Sequence, residues 1–173
     1  MKKNHLDAFE NNAIKVPFVV PNIQNSDKKA IELALQSNLL TDGPILKKFE
    51  DEFSKFTGSK YAIGVSNATS ALHLSLKSQG IGIGDEVIIP NITFVATANS
   101  VLYTGATPVL VDVNYDDINI SIKSVEKSIT KKTKAIIPVH FAGKSCDMSK
   151  LKKISKKFGL KIIEDCAHAI GTK

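Results

Sequence analysis

Arginine is absent from these 173 residues, cysteine occurs only twice, and no apolar run approaches membrane-spanning length. Each shortage removes a class of reading. All 23 strongly basic residues are lysine, so the net charge of +6 comes without the guanidinium groups that supply bidentate base contacts. Nucleic acid is therefore not an expected partner. Cys146 and Cys166 are too few for a disulfide framework in a chain of this size and form no Cys-x-x-Cys pair, which predicts reduced thiols and a cytoplasmic protein. A membrane helix needs about 18 uninterrupted apolar residues, and the start Met1-Lys2-Lys3-Asn4-His5 runs into polar sequence with no hydrophobic segment behind it. Neither membrane insertion nor a secretory signal is expected. What remains, 43% apolar and 23% charged residues, is enough to bury one core.

Residues 1–16 are polar and aperiodic, and are expected to form an N-terminal arm. Beyond Pro17 and Pro21, Ser26 can cap a helix reaching about Ser37, which Thr41-Asp42-Gly43-Pro44 interrupts as a turn. Leu46, Phe49, Phe53 and Phe56 then recur on one helical face that must pack against something, and Gly58 ends that helix. From Lys60 the pattern changes. Runs rich in Val, Ile and Leu predict strands over 61–66, 86–90, 108–113, 135–140 and 160–164. Helical periodicity lies between most of them, over 68–79 and 93–103, at Ile122-Val125-Ile129 and at Leu151-Ile154-Phe158, with Asp147 placed to cap the last. This alternation predicts an α/β fold in three layers, with right-handed crossovers and a mainly parallel sheet covered by helices on both faces.

In such a sheet, ligands bind at the carboxyl ends of the strands, beside helix N-termini. The polar residues there are Ser66-Asn67-Ala68-Thr69-Ser70, Asn91-Ile92-Thr93-Phe94, His140, and Asp165 with His168. The first group can cradle a phosphate with backbone N–H groups and the Thr69 and Ser70 hydroxyls, or can be an ordinary cap on a buried helix. Asp165 emerges after an apolar run, where an ionised carboxylate needs a partner. That partner can be a protonated pyridine nitrogen, or the residue can simply cap the next helix. His168 can reach a ring hydroxyl, and Phe94 can cover a ring face, although each residue type is more often structural. Together an anion cradle, an aromatic cover and an acidic ring partner describe the binding of a phosphorylated pyridine.

Other readings are weaker. Gly80-Ile81-Gly82-Ile83-Gly84 precedes a strand instead of following one, so it is a turn and not a dinucleotide loop. The spacing of Cys146, Cys166, His140 and His168 matches no standard zinc site, and no metal is expected. The lysines at 150, 152, 153, 156 and 157 surround a core stripe of Leu151, Ile154 and Phe158, which makes them a solvated outer face.

The segments Thr41-Asp42-Gly43-Pro44, Ser66-Asn67-Ala68-Thr69-Ser70-Ala71-Leu72-His73, Gly84-Asp85-Glu86-Val87-Ile88, Gly105-Ala106-Thr107-Pro108-Val109, Ile137-Pro138-Val139-His140-Phe141-Ala142-Gly143 and Glu164-Asp165-Cys166-Ala167-His168-Ala169 resemble, in order and spacing, the pyridoxal-phosphate sugar aminotransferases of the DegT/DnrJ/EryC1/StrS family. The resemblance implies that residues 17–173 are the N-terminal portion of a fold-type-I large domain. It further implies a homodimer that uses pyridoxal 5'-phosphate to move an amino group, usually from glutamate, to a keto group of a nucleotide-linked sugar in polysaccharide or glycan synthesis. Residue by residue, it implies cofactor contacts at Ala68, Thr69, Phe94, Asp165 and His168, and sugar contacts at Thr41 and Ser70. The family's Schiff-base lysine falls in a segment downstream of Lys173, so these residues alone are expected to bind weakly and not to transaminate. A dehydratase of the same family, with histidine at the lysine position, and a non-catalytic relic of the fold remain the alternatives.

Overall fold

The computed structural model describes residues 20–172, so the expected arm at 1–16 lies outside the described residues. The chain divides into two compact units at Phe53. In the first, helix α1 spans Asn25–Leu35, and its cap is Gln24, two residues before the expected Ser26. The Gln24 N–H donates to Asp27 Oδ2 at 2.8 Å, so the carboxylate satisfies an otherwise unpaired donor and leaves Ser26 inside the helix. Helix α2, Pro44–Thr57, opens on proline, whose fixed φ and missing N–H suit the first helical position. Its expected apolar face is not buried: no residue of α2 is, and the Phe49 and Phe53 rings lie with centroids 5.7 Å apart.

The second unit, Ser54–Lys173, carries the sheet. Helix α3 spans Ala68–Ser78, strand β1 Glu86–Pro90, α4 Val95–Leu102, β2 Thr107–Val111, α5 Ile122–Ser128, β3 Thr133–Ile136, α6 Met148–Phe158 and β4 Lys161–Ile162. The four strands run in the order β2-β1-β3-β4, and every pairing is parallel. Side chains alternate along a strand, so β1 sends Val87 and Ile89 into one layer with Leu72, Leu76 and Val101, and Ile88 into the other with Val125, Leu151 and Ile154. Helices α3 and α4 therefore cover one face and α5 and α6 the opposite one. Burial on both faces is why β1 reads as one unbroken apolar run.

The sequence expectation fails over 61–66, where no strand forms. Ile63 is 81% exposed, and none of the four strands pairs with this segment. Hydrophobicity makes a segment fit for a sheet, but only a neighbouring backbone with free donors and acceptors turns it into a strand. β3 ends four residues before the expected limit, and the chain continues extended to a single parallel bridge between Val139 and Asp165. Helix α6 closes on Gly159, whose φ of +68° is the left-handed cap that glycine adopts without a Cβ penalty.

Candidate active site

The order of the strands decides where a ligand can sit. β1 is followed by a helix on one face and β3 by a helix on the other, so the carboxyl ends of these two central strands open onto a crevice between diverging connections. The start of the helix after residues 61–66, the turn after β1 and the turn after β4 supply the polar residues considered next.

At the start of α3, Asn67 is an N-cap, its Oδ1 accepting the Ser70 N–H at 2.9 Å and its carbonyl accepting the Ala71 N–H at 3.1 Å. Among the described residues no acceptor meets the N–H groups of Ala68 and Thr69. The segment is a cap, and it leaves these two N–H groups without an acceptor among the described residues at the positive end of a helix. Ser70 Oγ lies 3.2 Å from Ser66 Oγ, which keeps its hydroxyl at the same turn.

After β1, Thr93 and Phe94 precede α4, where the sequence pattern had included them in the helix. Phe94 occupies the N-cap position with extended φ and ψ, and its side chain is 72% exposed. One turn on, Thr97 is fully buried and donates its hydroxyl to Asp165 Oδ2 at 3.0 Å. Asp165 Oδ1 accepts the Ala167 N–H at 3.2 Å. The carboxylate is 8% exposed, and among the described residues it forms no ion pair with a lysine or histidine. A buried acid with two neutral donors and no cation has room for a positively charged ligand atom.

His140, which follows β3, is 4% exposed and fully engaged. Its Nδ1 accepts the Cys146 N–H at 3.0 Å, which puts the ring proton on Nε2, 3.0 Å from Glu164 Oε2. His140, Glu164 and Cys166 bring ligand-type atoms within 4.8 Å of one another. The tautomer works against a metal there, because an ion on Nε2 would require a proton on the nitrogen that already faces an N–H. Burial, followed by the Glu164 and Asp165 charges, also raises the Cys166 thiol pKa and disfavours the thiolate a metal would need.

His168 lies in the turn after Asp165 and is exposed. Its ring meets Phe141 edge-on, with centroids 6.0 Å apart. The turn at 141–145 braces that of His168. A Cβ on Gly143 would lie 3.3 Å from the His168 carbonyl oxygen, and the Thr172 hydroxyl donates to the Gly143 carbonyl at 2.8 Å. Asn119 secures the same turn from below, donating to the carbonyls of Lys144 and Ser145 at 3.1 and 3.2 Å and accepting the Phe141 N–H at 3.2 Å. Thr41 is an exposed residue of the bend before α2, in the first unit.

The expected residues Ala68, Thr69, Ser70, Phe94, Asp165 and His168 thus all fall in the second unit, the first three at the start of a helix with no strand before it and the others after β1 and β4, and the turn of Phe94 is joined to Asp165 through Thr97. Sequence reasoning missed Thr97, the His140–Glu164 pair and Asn119. The available signal for Thr97 was its place four residues after Thr93, which stacks two hydroxyls along one helical line.

A sequence profile of the DegT/DnrJ/EryC1/StrS aminotransferase family matches residues 21–173. The spore coat polysaccharide biosynthesis protein SpsC of Bacillus subtilis (strain 168) is 41% identical over 171 residues, covering 99% of this chain and 42% of SpsC. The solved aminotransferase from Psychrobacter cryohalolentis is 41% identical, with a TM-score of 0.85 over 90% of this chain and 40% of that one. The PMP-form of Spr1654 from Streptococcus pneumoniae is 34% identical, with a TM-score of 0.85 over 90% of this chain and 43% of that one. The chain therefore spans about two fifths of the length of these relatives. With the profile match extending over nearly all the described residues, the chain belongs to the DegT/DnrJ/EryC1/StrS aminotransferase family.

Proposed function

We propose that this chain forms the coenzyme-gripping part of a pyridoxal 5'-phosphate-dependent aminotransferase that moves an amino group from glutamate to the keto group of a nucleotide-linked sugar in polysaccharide or glycan synthesis, as a cytoplasmic homodimer. The observation that carries this reading is the Asp165 carboxylate, buried at a strand end and held by the Thr97 hydroxyl with no cationic partner among the described residues. The coenzyme answers two unmet demands, since its ring nitrogen brings positive charge to Asp165 and its phosphate brings acceptors to the Ala68 and Thr69 N–H groups. Relatives add support: Spr1654 is known in PLP- and PMP-forms, and SpsC is named for polysaccharide biosynthesis.

When bound, the coenzyme supplies an electron sink through its protonated pyridine ring. Asp165 keeps the proton on the ring nitrogen, because a carboxylate in a site with little water stabilises an adjacent positive charge strongly. Ala68 and Thr69 donate backbone N–H groups to phosphate oxygens at the positive end of α3. Phe94 offers an aromatic face to the ring, and His168 a ring nitrogen to its hydroxyl. Thr41 and Ser70 each offer a hydroxyl to the sugar, a role that rests on the family resemblance.

The test uses the full-length protein. It should retain pyridoxal 5'-phosphate through dialysis, and with glutamate and a nucleotide-linked keto sugar it should yield the amino sugar and 2-oxoglutarate. Asp165→Asn, which removes the charge and keeps the shape, should lower kcat by about 100-fold or more. Unchanged turnover in that variant, or a wild-type protein that retains no coenzyme, would overturn the reading. Equal use of the free keto sugar would overturn the nucleotide-linked substrate.

A further inference from the structure

We infer that Thr97, backed by Thr93, is a positioning residue that sets the orientation of the Asp165 carboxylate toward the coenzyme ring, an inference that rests on the function proposed above. A carboxylate oxygen can only accept, so the single hydroxyl proton of Thr97 is committed to Asp165 Oδ2 at 3.0 Å. At the 2.8 Å contact between Thr93 Oγ1 and Thr97 Oγ1, the donor must then be Thr93. The two hydroxyls form a one-way chain that ends on the carboxylate, and each bond in such a chain polarises the next.

The geometry is over-determined in a useful way. Oδ2 is held from α4, 68 residues away in sequence, and Oδ1 is held by the Ala167 N–H of its own turn at 3.2 Å. Two donors from independent elements fix both the position of the carboxylate and the rotation of its plane. Four lone-pair sites minus two used leave acceptor capacity for a ring N–H. The Thr97 N–H also donates to the Phe94 carbonyl at 3.1 Å, so the turn that holds the acid is the turn that presents the aromatic side chain. Any shift of α4 moves ring cover and ring partner together. Thr97 is wholly buried and Thr93 half-buried, which shields the chain from competing water.

In the full-length protein, Thr97→Val removes the hydroxyl with little change of shape, Thr97→Ser keeps the hydroxyl, and Thr93→Val removes only the second link. Coenzyme affinity is read by equilibrium dialysis, and the amino-acid half-reaction by its kcat and KM. Thr97→Val should weaken coenzyme binding about tenfold, the scale of one hydrogen bond to a charged group. It should also lower kcat more than it changes KM. Thr97→Ser should restore both affinity and kcat, and Thr93→Val should shift them in the same direction by less.

The inference is overturned if Thr97→Val matches the wild type in affinity and in kcat. It is equally overturned if Thr97→Ser fails to rescue, since then packing and not the hydroxyl matters. A wild-type protein that retains no coenzyme defeats the proposed function and this inference with it, whereas a wild type that retains it beside an unaltered Thr97→Val defeats the inference alone.

Discussion

Cys146 donates its thiol proton to the Val139 carbonyl at 3.3 Å, and burial pushes its pKa up to about 11. Cys166, beyond α6 and β4 and beside Glu164 and Asp165, is also raised by burial and by those charges. Neither thiol is poised to react. A pKa of about 11 against an ordinary 9.0 leaves ~100-fold less thiolate at neutral pH, so iodoacetamide should label Cys146 at least that much more slowly than an unstructured cysteine peptide. The sign for stability follows from the same shift. Below pH 9 both folded and unfolded chains keep the proton and the contribution is complete. Between about 9 and about 11 the unfolded chain ionises first and stability falls. Cys146→Ala should flatten that alkaline decline in urea midpoints, whereas labelling at the peptide rate in neutral buffer would contradict the account.

At the level of single elements, α3 has the clearest division of labour. Asn67 Oδ1 takes the Ser70 N–H, and the cap's carbonyl takes that of Ala71, while the two donors nearest the helix start meet no acceptor among the described residues. Asn67→Ala should cost about 1 kcal/mol, typical of a lost cap, and lower Tm by about 3 °C in a chain of this length. A calorimetric scan showing no change would mean that the cap bond is replaced by water at no cost. The expected boundaries of α1 and of the strand at 61–66 failed for related reasons. Asp27 reaches back to Gln24 across a distance that a single N-cap pattern does not register, and the apolar run at 61–66 has no backbone partner among the described strands.

For the whole molecule, the parallel sheet explains both the site and a liability. Helices on opposite faces separate the connections around β1 and β3 and open the crevice, while the same arrangement ends on β4, a strand of only two residues with an open edge. Ile63, Leu110, Tyr115 and Ile170 stand exposed in this unit. Residues 1–173 expressed alone should therefore associate, with sedimentation showing oligomers that grow with concentration. A monomer that melts in one cooperative step would rule this out.

Much of the fold was legible because its causes are local. The run 86–90 coincides with β1, since polar neighbours bound a segment buried on both faces, and Asp147 caps α6 where its spacing from Leu151 predicts. Some of the candidate residues were legible: a rule about strand ends pointed to Asp165 and Phe94, and to the Ala68–Thr69 turn through a strand at 61–66 that does not form. Thr97 and the His140–Glu164 pair were not, because nothing in the local pattern of an apolar helix says that one hydroxyl will meet a carboxylate 68 residues later. Chain-neighbour chemistry sets periodicity, caps and turns. The partner of a buried polar group is set by which strands become neighbours, and that choice belongs to the packed sheet.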